Sequence, residues 1–136
     1  ELLRSVDVAV LNEIELSQAT GRRLDSSNST DAVVAACNVL RERGARAVIA
    51  TLGPRGAVVV GATGVDSIPA FRTKVIDTTG AGDCFVGALA ARLAAGVTPL
   101  EAARFASAAA SCSVERLGAA PAMPTGDEVA ARLAKA

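Results

Sequence analysis

The sequence predicts an α/β fold, and three observations carry that prediction. Short β-branched runs alternate with stretches whose apolar residues recur at three- and four-residue spacing. Several of those stretches open on a capping residue, and glycine-rich turns stand between them. Its 136 residues, 51% hydrophobic and 21% charged, bound the chain at one compact domain. Alternating strands and helices place it among layered α/β architectures.

In chain order, Val6, Val8, Val10 and Leu11 read as a first strand, and Asn12 can cap a helix that passes through Leu16 and stops at Gly21. After the polar stretch 25–29, Thr30 is placed to cap a second helix whose Val33, Cys37 and Leu40 share one face, with Gly44 to end it. Residues 47–51 read as a buried strand. Gly53-Pro54-Arg55-Gly56 is a tight turn, 57–60 a strand, 61–64 a second turn and 65–69 the return strand of a hairpin. A brief strand at 74–76 leads into Asp77-Thr78-Thr79-Gly80-Ala81-Gly82-Asp83. Phe85, Leu89 and Leu93 then recur at helical spacing, so a helix starts inside that glycine loop. Thr98 and Glu101 form a capping box with Pro99 at the first helical position, and the Ala- and Ser-rich helix they launch must pack closely. Thr125 and Glu128 repeat the pattern for a last helix ending near Leu133.

Composition excludes several functions. Fourteen Lys plus Arg balance fourteen Asp plus Glu, so no basic field exists to attract nucleic acid or an anionic membrane. With no His, triads, Cys-His dyads and His metal sites are all removed, and acid-base chemistry falls to carboxylates. Cys37, Cys84 and Cys112 are odd in number and widely spaced, which indicates neither a zinc knuckle nor a disulfide framework and fits a reducing cytoplasm. Arg92, Arg104 and Glu115 interrupt the Ala-rich segments before they reach the roughly 20 residues of a membrane helix. The opening Glu-Leu-Leu-Arg carries no basic n-region of a secretory signal.

The chemistry concentrates in the glycine loop. A helix that starts at Gly80-Ala81-Gly82 presents unpaired N–H groups at its positive end and lets a phosphate approach the backbone. Asp83 beside such an anion site would repel it, unless the carboxylate takes a proton from a nucleophile, as in phosphoryl transfer. Read alone, Asp83 could equally be a carboxylate favoured in a first helical turn. A Walker A loop is excluded because the only lysines are Lys74 and Lys135, and Gly-x-Gly-x-x-Gly fails at Phe85. Cys84 sits where a thiol can be activated, but it has no basic partner nearby and reads as an inert small residue.

The heptapeptide 77–83 with the following Cys84-Phe85-Val86-Gly87-Ala88-Leu89 closely resembles the signature of the ribokinase-like, or PfkB, carbohydrate kinases. Asn12-Glu13-Ile14-Glu15 resembles the family's Asn-x-x-Glu motif, although that pattern at a helix start is also a capping box. Thr51-Leu52-Gly53-Pro54-Arg55-Gly56 resembles its Thr-Leu-Gly turn, which needs nothing beyond a turn when read alone.

The resemblance implies ATP-dependent phosphorylation of a sugar hydroxyl, with Asp83 as base and the amides around Gly80, Ala81 and Gly82 as anion hole. It sets Asn12 and Glu15 near the Mg2+-phosphate cluster, and Thr51, Gly53 and Gly56 beside the ATP. Ser107 stands where the family commonly has an Asn near the adenine. Asp77 and Thr79, with the carbonyls of Ser113, Arg116 and Gly118, would hold a monovalent cation such as K+. The sequence departs from the family at Ala122, where a Ser is frequent.

The match covers the C-terminal, nucleotide-binding portion of a layered α/β/α domain whose complete members are a little more than twice as long. The N-terminal half and the β-lid that closes over the sugar are expected to be absent. Isolated in this way, the chain is expected to self-associate or dissolve poorly. Residues 68–71, 104–106 and 116–119 look more like ribokinases than fructokinases or adenosine kinases, so D-ribose is the first choice of substrate. A homodimer of the full-length protein is an expectation of the same kind. Two other readings are a catalytically silent nucleotide-binding fragment and an α/β binding module whose glycine loop only caps a helix.

Overall fold

The structure, a computed structural model, describes residues 2–25 and 27–136. The chain divides into two compact units, Glu1–Pro69 and Ala70–Ala136.

The first unit is built on a four-stranded sheet in the order β1-β2-β3-β4. Strand β1 (Val8–Asn12) runs parallel to β2 (Ala47–Thr51), and the connection between them carries helices α1 (Glu13–Thr20) and α2 (Thr30–Glu42). A parallel pair requires such a crossover, whereas β2, β3 (Ala57–Gly61) and β4 (Gly64–Ile68) follow one another antiparallel through short turns. The predicted hairpin is present, with Gly61 opposite Gly64. Val33, Cys37 and Leu40 share a buried face of α2 as their spacing predicts, and they pack with Leu16, Val48, Val58 and Val60 into one core. Burial pushes the Cys37 thiol up to about 11, so it serves as a small hydrophobe.

Two helix boundaries of this unit show how local chemistry sets them. Ser29, not Thr30, caps α2: the Ser29 hydroxyl accepts from the Ala32 N–H, and Thr30 becomes the first helical residue. Adjacent Ser and Thr are both competent caps, and the one in extended conformation takes the position. At the other end Gly44, at φ +124, donates to the Arg41 carbonyl while Ala45 donates to that of Leu40, the paired bonds of a Schellman stop. A Cβ on Gly44 would meet Arg4 Cγ at 2.5 Å, so the glycine is needed for space as well as for φ.

The second unit contains α3 (Ala81–Ala94), α4 (Pro99–Ser113) and α5 (Gly126–Ala134). The capping boxes predicted for α4 and α5 are formed, by Thr98 with Glu101 and by Thr125 with Glu128. Ala102, Ala103, Ala106, Ala108 and Ala109 of α4 are buried, and their small side chains allow close helix packing. Cys84, Ala108, Ala109 and Val129 form the core, with Phe71, Ala88, Phe105 and Leu133 against it. The Arg92 guanidinium lies 5.1 Å from the Phe105 ring centroid, a cation–π contact.

The strand expected at 74–76 is not formed. Val75 and Ile76 have strand composition but stay exposed, and no strand among the described residues pairs with them. Instead, the N–H groups of Ile76 and Asp77 both donate to the Val114 carbonyl at the end of α4, at 2.7 and 3.1 Å. A strand needs a ladder, and this segment is held by a helix terminus.

Candidate active site

In the first unit the sequence-predicted residues gather where the parallel strands end. Asn12 closes β1 opposite Thr51, which closes β2. The carboxyl ends of parallel strands are where open α/β sheets place ligands. Asn12 is also the N-cap of α1: its Oδ1 accepts from the Glu15 N–H at 2.9 Å, and its own N–H donates to Glu15 Oε2 at 2.8 Å. The capping box is therefore real, and it leaves Glu15 Oε1 free for a further partner.

Gly53 and Gly56 flank the turn after β2 at φ +54 and +91, which explains both glycines locally. Arg55 between them pairs with Glu13 and donates to the Asn28 carbonyl at 2.7 Å, tying the turn to the start of α1. Sequence spacing gave no sign of that tie.

In the second unit the glycine loop is fixed by Asp77. Its Oδ1 accepts from the Thr79 hydroxyl at 2.6 Å and the Thr79 N–H at 2.9 Å, and its Oδ2 accepts from the Gly118 N–H at 2.8 Å. These bonds, with the Thr79 hydroxyl first, hold the Asp77 carboxyl below the usual carboxylate range. Gly80 caps α3 at φ +74, and a Cβ there would lie 2.8 Å from Ala119 Cβ. Only glycine fits both the left-handed backbone and that approach. Residues 77, 79, 80 and 118 are thus brought together.

The start of α3 differs from those of the other helices. No side chain caps it. Ala81 N–H is spent on the Thr78 carbonyl at 3.1 Å and Cys84 N–H on that of Gly80 at 2.9 Å. Among the described residues the N–H groups of Gly80, Gly82 and Asp83 have no intramolecular acceptor. Of the amides expected around Gly80, Ala81 and Gly82, that of Ala81 is occupied. That of Asp83, missed in the sequence, belongs to the set, as the orphan donors of any first turn predict. Gly82 has helical φ and open space where a Cβ would stand, so neither backbone nor packing demands a glycine there. The Asp83 side chain is exposed, and no hydrogen bond or ion pair ties it among the described residues.

The remaining expectations are placed as follows. Ser107 is half-buried in the middle of α4. Ser113 is buried, its hydroxyl donates to the Ala110 carbonyl, and its own carbonyl accepts from the Arg116 N–H at 3.2 Å. The carbonyls of Arg116 and Gly118 accept no hydrogen bond among the described residues. Like the Asp77 carboxylate and the Thr79 hydroxyl, they are hard oxygen donors of the kind an alkali cation takes. Among the described residues no group of three or more Cys, Asp or Glu could hold a metal by itself. Mg2+ ordinarily takes one or two carboxylates and completes its shell with water and substrate phosphates, a role that Glu15 fits. Burial raises the Cys84 thiol above its ordinary value, in keeping with an inert side chain. No helix among the described residues is long and apolar enough to cross a membrane.

An uncapped, glycine-lined helix start behind an ordered carboxylate loop presents the unspent N–H groups that an anion such as phosphate requires. Residues 1–126 match the pfkB family carbohydrate kinases, and the chain belongs to that family. It is 40% identical over 128 residues to a ribokinase of Arabidopsis thaliana, covering 91% of this chain and 32% of that protein. Among solved structures it superposes on Arabidopsis thaliana ribokinase complexed with ribose and ATP at TM-score 0.88 and 34% identity, covering 97% of this chain and 42% of that one. Phosphofructokinase-2 from Escherichia coli in complex with potassium matches at TM-score 0.84 and 29% identity, covering 95% and 40%. The fold is thus the mixed α/β fold of the ribokinases, and the chain spans about a third of the curated relative it matches.

Proposed function

We propose that these 136 residues are the C-terminal, nucleotide-binding portion of a PfkB-type domain. The full-length protein then transfers the terminal phosphoryl group of ATP to a sugar hydroxyl, most simply that of D-ribose to give D-ribose 5-phosphate. The observation that carries this reading is the pairing at the start of α3: three unspent N–H groups, at Gly80, Gly82 and Asp83, beside an untied Asp83 carboxylate.

In the step we infer, Asp83 accepts the proton of the sugar hydroxyl as that oxygen bonds to phosphorus and the bond to the ADP oxygen breaks. Charge gathering on the transferred group meets donors already aimed at it. Mg2+, when bound, neutralises phosphate charge, with Asn12 and Glu15 on its side of the site. Thr51, Gly53 and Gly56 lie along the nucleotide, and Ser107 stands by the adenine. K+ is supported as a ligand of Asp77, Thr79 and the 113–118 carbonyls by the donor set and by the potassium complex of the phosphofructokinase-2 relative. The same relative favours a second reading in which the acceptor is fructose or another sugar, and a match to an aminoimidazole riboside kinase of Salmonella enterica adds a nucleoside to the candidates. On either reading we place the full-length protein in the cytoplasm, as a homodimer acting on small molecules.

The test is Asp83→Asn in the full-length protein. Sugar phosphorylation should collapse while ATP still binds. Turnover within a few-fold of the parent on every sugar tried would remove Asp83 as the base, and a panel of ribose, fructose and nucleosides decides the acceptor.

A further inference from the structure

The segment 114–119 lies between α4 and α5 and touches the glycine loop twice, through the Gly118 N–H on Asp77 and through Ala119 against Gly80. Two neighbouring residues of this segment, Glu115 and Arg116, carry opposite charges, and each reaches an opposite charge on α5. Arg132 Nη2 donates to Glu115 Oε2 at 2.7 Å, and the Arg116 guanidinium pairs with Glu128. Glu128 and Arg132 are four residues apart, so a single face of α5 presents both partners.

The grip extends to the other side of the loop. Thr73 Oγ1 lies 2.7 Å from Glu115 Oε1 and 2.8 Å from the Ser111 carbonyl, and Arg132 Nη1 donates to the Arg72 carbonyl at 3.0 Å. Helix α5 therefore holds both chain segments that converge on the glycine loop: 72–73, which lead to Asp77, and 115–116, which lead to Gly118 and Ala119. None of these side chains belongs to the phosphate site.

Resting on the kinase reading above, we propose that α5 is a latch: its crossed ion pairs make Glu115, Glu128 and Arg132 positioning residues that hold the 115–119 segment against the glycine loop. The Asp77–Gly118 bond and the Ala119–Gly80 contact carry its effect to the helix start that presents Asp83. The four charged side chains are between 20% and 42% exposed, so the latch is accessible to salt and each pair is individually weak.

The full-length protein provides the test. Arg132→Glu sets two carboxylates against each other, and Glu115→Arg with Arg132→Glu restores the pairing in reverse. Glu128→Gln removes a charge but keeps the capping box, since Gln serves equally at that position. The first readout, amide hydrogen exchange at Thr79 and Gly118, whose N–H groups both donate to Asp77, needs no activity. The second is the potassium chloride concentration giving half-maximal phosphorylation of D-ribose.

Arg132→Glu should speed exchange at Gly118 and raise the potassium requirement, each by about two- to fivefold. The swapped pair should return both toward the parent. Glu128→Gln should shift both in the same direction by less, and it keeps the proposal testable if Arg132→Glu fails to fold. Parental exchange at Thr79 and Gly118 in Arg132→Glu and Glu128→Gln would overturn the latch, as would a swapped pair no better than the single variant. A parent protein that phosphorylates no sugar or nucleoside tried would sink the kinase reading instead and leave the exchange result standing.

Discussion

Among the described residues four of the five α-helices begin with a side-chain cap, and α3 does not. The contrast is sharpest between α1 and α3, because both carry an acid at the third helical position. In α1 the Glu15 carboxylate folds back onto the Asn12 N–H while Asn12 caps Glu15, and the turn is closed on itself. Glu101 and Glu128 do the same for α4 and α5. In α3 the cap is Gly80, which has no oxygen to offer, and the acid is Asp83, one methylene shorter and not folded back. The same position closes the helix start in α1, α4 and α5, and in α3 it has no such bond among the described residues.

Substitutions can break or sharpen that contrast, and all are framed for the full-length protein. The largest effect belongs to Asp83→Asn, for which kcat should fall by about 10²- to 10⁴-fold with the ATP dissociation constant little changed. Steady-state kinetics and calorimetry check it. Next, Gly80→Ala forces a Cβ to 2.8 Å from Ala119 Cβ at φ +74, and denaturant unfolding should show a loss of about 2 kcal/mol or more. Asn12→Ala opens the closed end, and the same measurement should show a loss of about 1 kcal/mol.

Gly82→Ala separates stability from function. With open space around the position, stability should hold or rise by up to about 1 kcal/mol as a glycine leaves a helix, while phosphoryl transfer falls. Loss of stability at Gly82 with full activity would mean that the open end is only a loose cap.

The smallest effect concerns acid. The Arg116 guanidinium first, then the Thr125 N–H, lowers the Glu128 carboxyl from an ordinary 4.5 to about 2. A group depressed in the folded state stabilises above its unfolded value and loses that contribution as pH falls through its folded value. Glu128 therefore supports the fold above about pH 4.5, and its contribution fades between there and pH 2. Thermal melts of the parent and Glu128→Gln should differ slightly at neutral pH and converge in acid.

What could be read from the chain alone was whatever is encoded locally. Thr98 with Glu101 and Thr125 with Glu128 announce helix starts because the bonding partners are three residues apart, and Gly61 opposite Gly64 closes a hairpin within a few residues. The 74–76 strand was misread because Val75 and Ile76 match a strand in composition, while their fate depended on the distant Val114 carbonyl. Ser29 and Thr30 were chemically equivalent caps, and only backbone conformation separated them. At the candidate site the glycine loop and Asp83 were visible as a motif. Glu115, Glu128, Arg132 and Thr73 were not, since nothing in their spacing says that residues 12 to 42 positions apart will meet.

Asp77 gives the loop a further property. Three donors from two stretches of chain converge on its carboxylate, so the bend that exposes the Gly80, Gly82 and Asp83 amides is fixed by bonds internal to the polypeptide. A loop that had to freeze around its ligand would forfeit about 1–2 kcal/mol per residue in backbone freedom at each binding event. Here that freedom is surrendered during folding, so on the kinase reading proposed above an arriving anion would encounter a receptor whose shape was settled beforehand.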